Sequence, residues 1–165
     1  MTYRETFKVS AHGDREIMMT RAFAVPRTLV FDAFTRPELV RQWLLGPPGW
    51  SMPVCEIDLR VGGSYRYVWR HEKGQEMGMG GVFREIVPPE RIVSTEKFDQ
   101  AWYPGEAVGT VMLTEQNGKT TVTTIVAYQS AEAREAVLKS PMEQGVAAGY
   151  NRLEEVLATL AGGNR

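Results

Sequence analysis

Three patterns in this sequence of 165 residues predict an α+β domain built on an antiparallel sheet. Between Trp50 and Ala127, successive short segments alternate apolar and polar residues, and the spacers between them are too short for crossover helices. Two helix-start signals stand in tandem after Pro26, ahead of those strands. From Ser140 onward a single apolar stripe recurs at spacings of four and three. Composition sets the outer limits. Basic side chains number 19 and acidic ones 20, so no nucleic-acid partner is expected. No apolar run approaches the roughly 20 residues of a membrane span, and the first residues lack a signal-peptide core, which predicts a cytoplasmic protein. Cys55 stands alone, which excludes an internal disulfide and a cysteine-ligated zinc cluster.

Residues 1–14 read as an N-terminal arm or an extra edge strand, and residues 15–162 as one domain. Residues 15–24 form a strand, with Ile17, Met19, Arg21 and Phe23 on one parity. Pro26 fits the first position of a helix carrying Leu29, Val30, Ala33 and Phe34. Thr35, Pro37 and Glu38 form a second start signal, with Thr35 as cap and Glu38 reaching back to it. Gly46-Pro47-Pro48-Gly49 ends that helix. In residues 54–61, Cys55, Ile57, Leu59 and Val61 point inward while Glu56, Asp58 and Arg60 point outward. Gly62-Gly63 turns the chain into a strand with Tyr65, Tyr67 and Trp69 on one face. Further strands are predicted over 77–87, 91–98, 107–115 and 119–127, separated by turn-forming residues. Ser130 caps a short helix, and Ser140-Pro141-Met142-Glu143 starts the final one, whose stripe is Val146, Tyr150, Leu153, Leu157 and Leu160.

The first long hairpin has a predicted register. A three-residue loop of Gly62, Gly63 and Ser64 sets Leu59 opposite Tyr67, Ile57 opposite Trp69 and Glu56 opposite Arg70, keeping one face apolar and pairing opposite charges.

The order of strand, two short helices, antiparallel sheet and long terminal helix is that of the helix-grip fold. Residues 23–38, Arg41-Gln42-Trp43, residues 52–63 and residues 85–93 resemble, in order, blocks of the family named for the activator of heat-shock-protein-90 ATPase. With the final helix the resemblance covers about residues 15–160. It implies a START-like, Bet v 1-like architecture: a strongly bent antiparallel sheet wrapped around the long helix, with an apolar cavity between them.

Candidate site residues are weighed against ordinary core. Aromatic and methionine side chains suit a pocket of adaptable shape. Its expected walls are Tyr67, Trp69, Phe83 and Met112 from the sheet with Met142, Val146 and Tyr150 from the last helix, and Trp43 and Trp50 near the mouth. The loops Gly46-Pro47-Pro48-Gly49 and Tyr103-Pro104-Gly105 are expected to border the entrance. Gly145 and Gly149, costly in a helix, indicate either open space or close approach. Met77-Gly78-Met79-Gly80-Gly81 lacks the following helix and the Lys-Ser/Thr ending of a phosphate loop, so its glycines read as strand bends or contacts.

His12 and His71 have no partner at metal-ligand spacing, and no metal or cofactor is expected. Cys55 has no assignable base. Glu56 and Asp58 share a solvated face with Arg60. Arg84, Glu85 and Glu96 lie within strands, and a buried carboxylate among them would matter, as would His71 facing the cavity. No catalytic residue is assigned. The expected function is noncatalytic binding of a small hydrophobic or amphipathic molecule. The alternatives are an enzyme of cyclase or hydrolase type using the same cavity, and a chaperone accessory; homodimerisation is an open option.

Overall fold

Lys8–His12 pairs antiparallel with Glu16–Phe23, so these segments form strands β1 and β2, with β1 at one edge of the sheet. The computed structural model describes residues 3–100, 103 and 105–163. Ile17, Met19, Arg21 and Phe23 of β2 are all buried on one face.

Helices α1 (Arg27–Thr35) and α2 (Pro37–Trp43) follow in tandem as predicted, but their starts differ. Pro26 is the N-cap of α1 and not its first helical residue, so the helix starts one residue later than predicted. Arg36 serves as both C-cap of α1 and N-cap of α2. Thr35 therefore still belongs to α1, where its hydroxyl donates to the Phe31 carbonyl at 2.8 Å, and caps nothing.

Six strands come next: β3 (Trp50–Ile57), β4 (Ser64–His71), β5 (Glu76–Val87), β6 (Arg91–Phe98), β7 (Ala107–Gln116) and β8 (Lys119–Ala127). All pairings are antiparallel, in the order β1-β2-β8-β7-β6-β5-β4-β3. β2 pairs with β8, so the first long strand lies beside the last, and α1 and α2 carry the chain from β2 to β3 at the far edge of the sheet.

The β3–β4 register departs from expectation. Ile57 lies opposite Tyr65, Glu56 opposite Arg66 and Cys55 opposite Tyr67. The predicted pairs were displaced four residues along the ladder, an even step, so the inward face was right and the partners were wrong. The reason is that the connection is longer than three residues: Asp58 N–H donates to the Ser64 carbonyl at 2.9 Å, and the tight turn inside the loop spans Arg60 to Gly63, with Gly63 N–H donating to the Arg60 carbonyl at 2.8 Å. The Gly62 N–H donates to the Phe83 carbonyl, and Phe83 N–H donates to that of Gly63, both at 2.9 Å, so this pair continues the sheet against β5. Asp58 and Arg60, joined by an ion pair at 2.9 Å, lie in the wide loop that results. Leu59 (40% exposed) and Val61 (63%) sit there as well, so neither points inward as expected.

The glycine cluster of β5 is strand, and one member is a point of close approach. A Cβ on Gly81 would lie 1.9 Å from the Thr95 carbonyl oxygen of β6, where backbone has no room to yield. Gly81→Ala is expected to destabilise by about 1–3 kcal/mol, as overpacking does, while Val82→Ala next to it, at an exposed site, stays within about 0.5 kcal/mol of wild type. Urea unfolding of the two variants checks this.

Helices α3 (Ala131–Lys139) and α4 (Met142–Gly163) close the chain. Ser130 caps α3 as predicted, accepting from Ala133 N–H at 3.0 Å. Ser140 does not cap α4: its hydroxyl turns back to donate to the Val137 carbonyl at 2.5 Å. Along the α4 stripe, Tyr150, Leu153 and Leu157 are buried and Val146 and Leu160 partly so. Tyr150 meets Phe23 edge-on, with ring centroids 5.8 Å apart, fixing the helix against β2. No helix among the described residues is long and apolar enough to cross a membrane.

The buried apolar residues fall into two clusters. One joins α1, α2 and α4 to strands β2 to β8; the other gathers Ile17, Met19, Val126, Tyr128 and Val137 beside Tyr103. Phe98 and Val146 touch both. Space remains where the two meet.

Candidate functional site

That space is a cavity of about 530 Å³, lined by members of both clusters, between the sheet and α4. Of the expected wall residues, Tyr67, Trp69, Phe83, Met142, Val146 and Tyr150 line it. Period two along β4 puts Tyr65, Tyr67 and Trp69 on one face, and the Trp69 indole is held by donating to the Leu44 carbonyl at 2.6 Å. Trp43 and Trp50 also line the space. Trp43 is a buried anchor, its indole donating to the Ala33 carbonyl at 2.9 Å and its ring 5.9 Å from that of Tyr150.

Met112 is a correction. Val111 lines the cavity and Leu113 is core, so alternation turns Met112 to the other face of β7, between Arg91 and Thr123 on the neighbouring strands. Gly46 and Pro47 reach the lining, with Pro47 3.8 Å from where a Gly145 Cβ would stand. Gly149 approaches the Trp43 carbonyl closely, at 3.3 Å from its missing Cβ, and both glycines line the cavity. Open space and close approach thus both apply. Within the Tyr103-Pro104-Gly105 loop, Tyr103 lines the cavity and Pro104 lies outside the described residues.

Neither His71 nor Glu85 faces the space. His71 packs edge-on against Trp50 at the end of β4, its Nδ1 accepting from Lys73 N–H at 3.1 Å. Glu85 accepts from Arg91 Nε at 3.0 Å and is partly exposed. Burial pushes the Cys55 thiol up, the opposite of an activated nucleophile.

Among the described residues, the carboxyl that does line the cavity is that of Glu96. It projects from β6 on the same parity as Ile92, Ser94 and Phe98, all lining residues. Small residues on β7 make its seat: Ala107 stands opposite it, and a Cβ on Gly109 would lie 2.4 Å from the carboxyl oxygen Oε2. Among the described residues its carboxyl has neither a hydrogen-bond donor nor a cation, and desolvation pushes its pKa up to about 7. Four tyrosines line the same cavity within electrostatic reach of it. Tyr65 and Tyr67 stand 5.0 Å apart between centroids, Tyr103 and Tyr128 5.2 Å apart. Burial raises all four phenols, and the charge of Glu96 raises each further. The Tyr65 hydroxyl is engaged, donating to the Thr95 carbonyl at 2.6 Å. The cavity therefore has one polar pole within apolar walls. Tyr128 and Val126 carry no signal in the sequence, because they belong to the second cluster, whose contribution to the wall no spacing announces.

Comparison with known proteins fits this architecture. The model of the family described as Activator of Hsp90 ATPase homolog 1-like protein matches residues 24–158. A Rhodobacter sphaeroides protein of known crystal structure is 29% identical, with a TM-score of 0.88 over 93% of this chain and 99% of its own. A Chromobacterium violaceum protein is 27% identical, at a TM-score of 0.77 over 87% and 96% of the two chains. A Nitrosomonas europaea protein is 25% identical, at 0.81 over 92% and 99%. Among curated proteins there is no match.

Proposed function

The chain belongs to the Activator of Hsp90 ATPase homolog 1-like family, and we propose that it is a noncatalytic binding protein for a small hydrophobic or amphipathic molecule held between the sheet and α4. One observation carries this reading: the cavity of about 530 Å³ that the core leaves unfilled. Protein interiors pack densely and rarely keep voids larger than a water molecule. A space of this size is in the range that takes a drug-sized guest. Its walls of Trp, Tyr, Phe and Met supply apolar area and conformational adaptability, which is what a shape-tolerant ligand site uses. Passage of the guest past Gly46 and Pro47 is part of the proposal.

The reading predicts that decanol, a neutral probe, raises the unfolding free energy by about 2.7 kcal/mol at a hundredfold excess over its dissociation constant. Thermal unfolding over a decanol titration measures this. A midpoint that does not move at any concentration removes the proposal.

A second reading, a small-molecule enzyme using the same cavity, draws on Glu96. A carboxyl titrating at about 7 is suited to proton transfer near neutrality. Recovery of bound compounds chemically unchanged favours binding; conversion that Glu96→Gln abolishes favours catalysis. The chaperone-accessory role suggested by the family's name is tested by ATPase stimulation, for which the binding reading expects none.

A further inference from the structure

Resting on that binding reading, we propose that the ligand is a hydrophobic amine whose protonated nitrogen is recognised by Glu96 in a cavity that tyrosines also line. Four observations combine. The carboxyl of Glu96 faces the cavity and has no donor or cation of its own among the described residues. A buried carboxylate left unpaired is costly, so the site is incomplete without a positive or hydrogen-bond-donating group from outside. None of the described residues lining the cavity is Lys, Arg or His. An anionic head group, such as a fatty-acid carboxylate, would meet like charge with nothing to offset it.

The surroundings favour an ammonium over a plain hydroxyl. Tyr65 and Tyr67 on β4, with Tyr103 and Tyr128, line the same cavity as the carboxyl and lie within its electrostatic reach. A cation gains from ring faces as well as from the carboxylate, whereas an alcohol gains only the hydrogen bond. Ala107 and Gly109 on β7 leave the carboxyl its room. The remaining walls, including Trp69, Met79 and Val146, are apolar and would hold a hydrocarbon body.

The test compares three probes of one chain length: decylamine, decanol and decanoate, titrated calorimetrically into the folded protein. Wild type is expected to bind decylamine about tenfold more tightly than decanol and on the order of a hundredfold more tightly than decanoate. Glu96→Gln is expected to remove the preference for the amine and keep the affinity for decanol. Gly109→Ala serves as an independent variant. Its Cβ would displace the end of the flexible Glu96 side chain, so it keeps the charge and fold while weakening amine binding. Decanoate binding as tightly as decylamine, or an amine preference that survives both substitutions, overturns the inference while leaving the binding reading intact. Failure of all three probes to bind overturns both.

Discussion

Replacing Glu154 by Ala is expected to destabilise the protein by about 3 kcal/mol, toward the lower end of what breaking a buried ion pair costs. Its partner Arg21 stands on the inner face of β2 and is only 1% exposed. The guanidinium lies 3.0 Å from Glu154 Oε2, donates to the Ala22 carbonyl at 2.5 Å and sits 4.6 Å from the Phe23 ring centroid. Without Glu154 that charge stays buried with no anion among the described residues, met by the Ala22 carbonyl and, at 3.5 Å, the Asn151 Oδ1. The Glu154 side chain is 18% exposed, so solvent screens part of the interaction. Replacing both partners, Arg21→Met with Glu154→Leu, is expected to recover most of the loss, because no charge is then left behind. Urea unfolding at neutral pH decides the matter, and a loss below about 1 kcal/mol for Glu154→Ala contradicts this role. Burial alone would raise the Glu154 carboxyl, but hydrogen bonds and charge from Arg21 and Arg4 outweigh that and hold it below its ordinary value. The folded state thus prefers the ionised form, so this contribution is present above the unfolded value and fades as pH falls through the depressed one.

Glu96→Gln has the opposite sign. With the Glu96 carboxyl raised from 4.5 to about 7, the folded protein retains a proton that the unfolded chain has released. Stability from this group is full below about 4.5 and lost as pH rises through about 7. On the alkaline side of that window the variant is expected to be more stable than wild type by about 3 kcal/mol, the difference closing toward the acidic side. Denaturant titrations across the window measure it. A difference that is flat with pH would mean that Glu96 is solvated in the folded state.

What the sequence makes legible is what local periodicity decides. Strand alternation, turn residues and the α4 stripe depend on local periodicity, so the elements could be read directly, and Tyr67, Trp69 and Tyr150 were placed correctly on inner faces. Register depends on contacts between distant segments. Gly62 and Gly63 do turn the chain, but their pairing with Phe83 of β5 sets a wider loop than two glycines announce. In β7 both parities are apolar enough, with Val111 and Leu113 against Val108 and Met112, so alternation could not decide which faced in. Glu96 was the reverse case. Its parity with Ile92 and Phe98 was available, yet a carboxylate on an apolar face reads as an anomaly until a cavity gives it something to face.

The central claim is that the space beside α4 admits a guest, and calorimetric titration of decanol into wild type and Val146→Trp tests it most directly. Val146 lines the cavity and touches both core clusters, so an indole at that position occupies the space itself. The account predicts saturable one-to-one binding to wild type with a negative heat-capacity change, weakened about tenfold or more in the variant. Absence of binding to wild type, or equal affinity in both proteins, would contradict it.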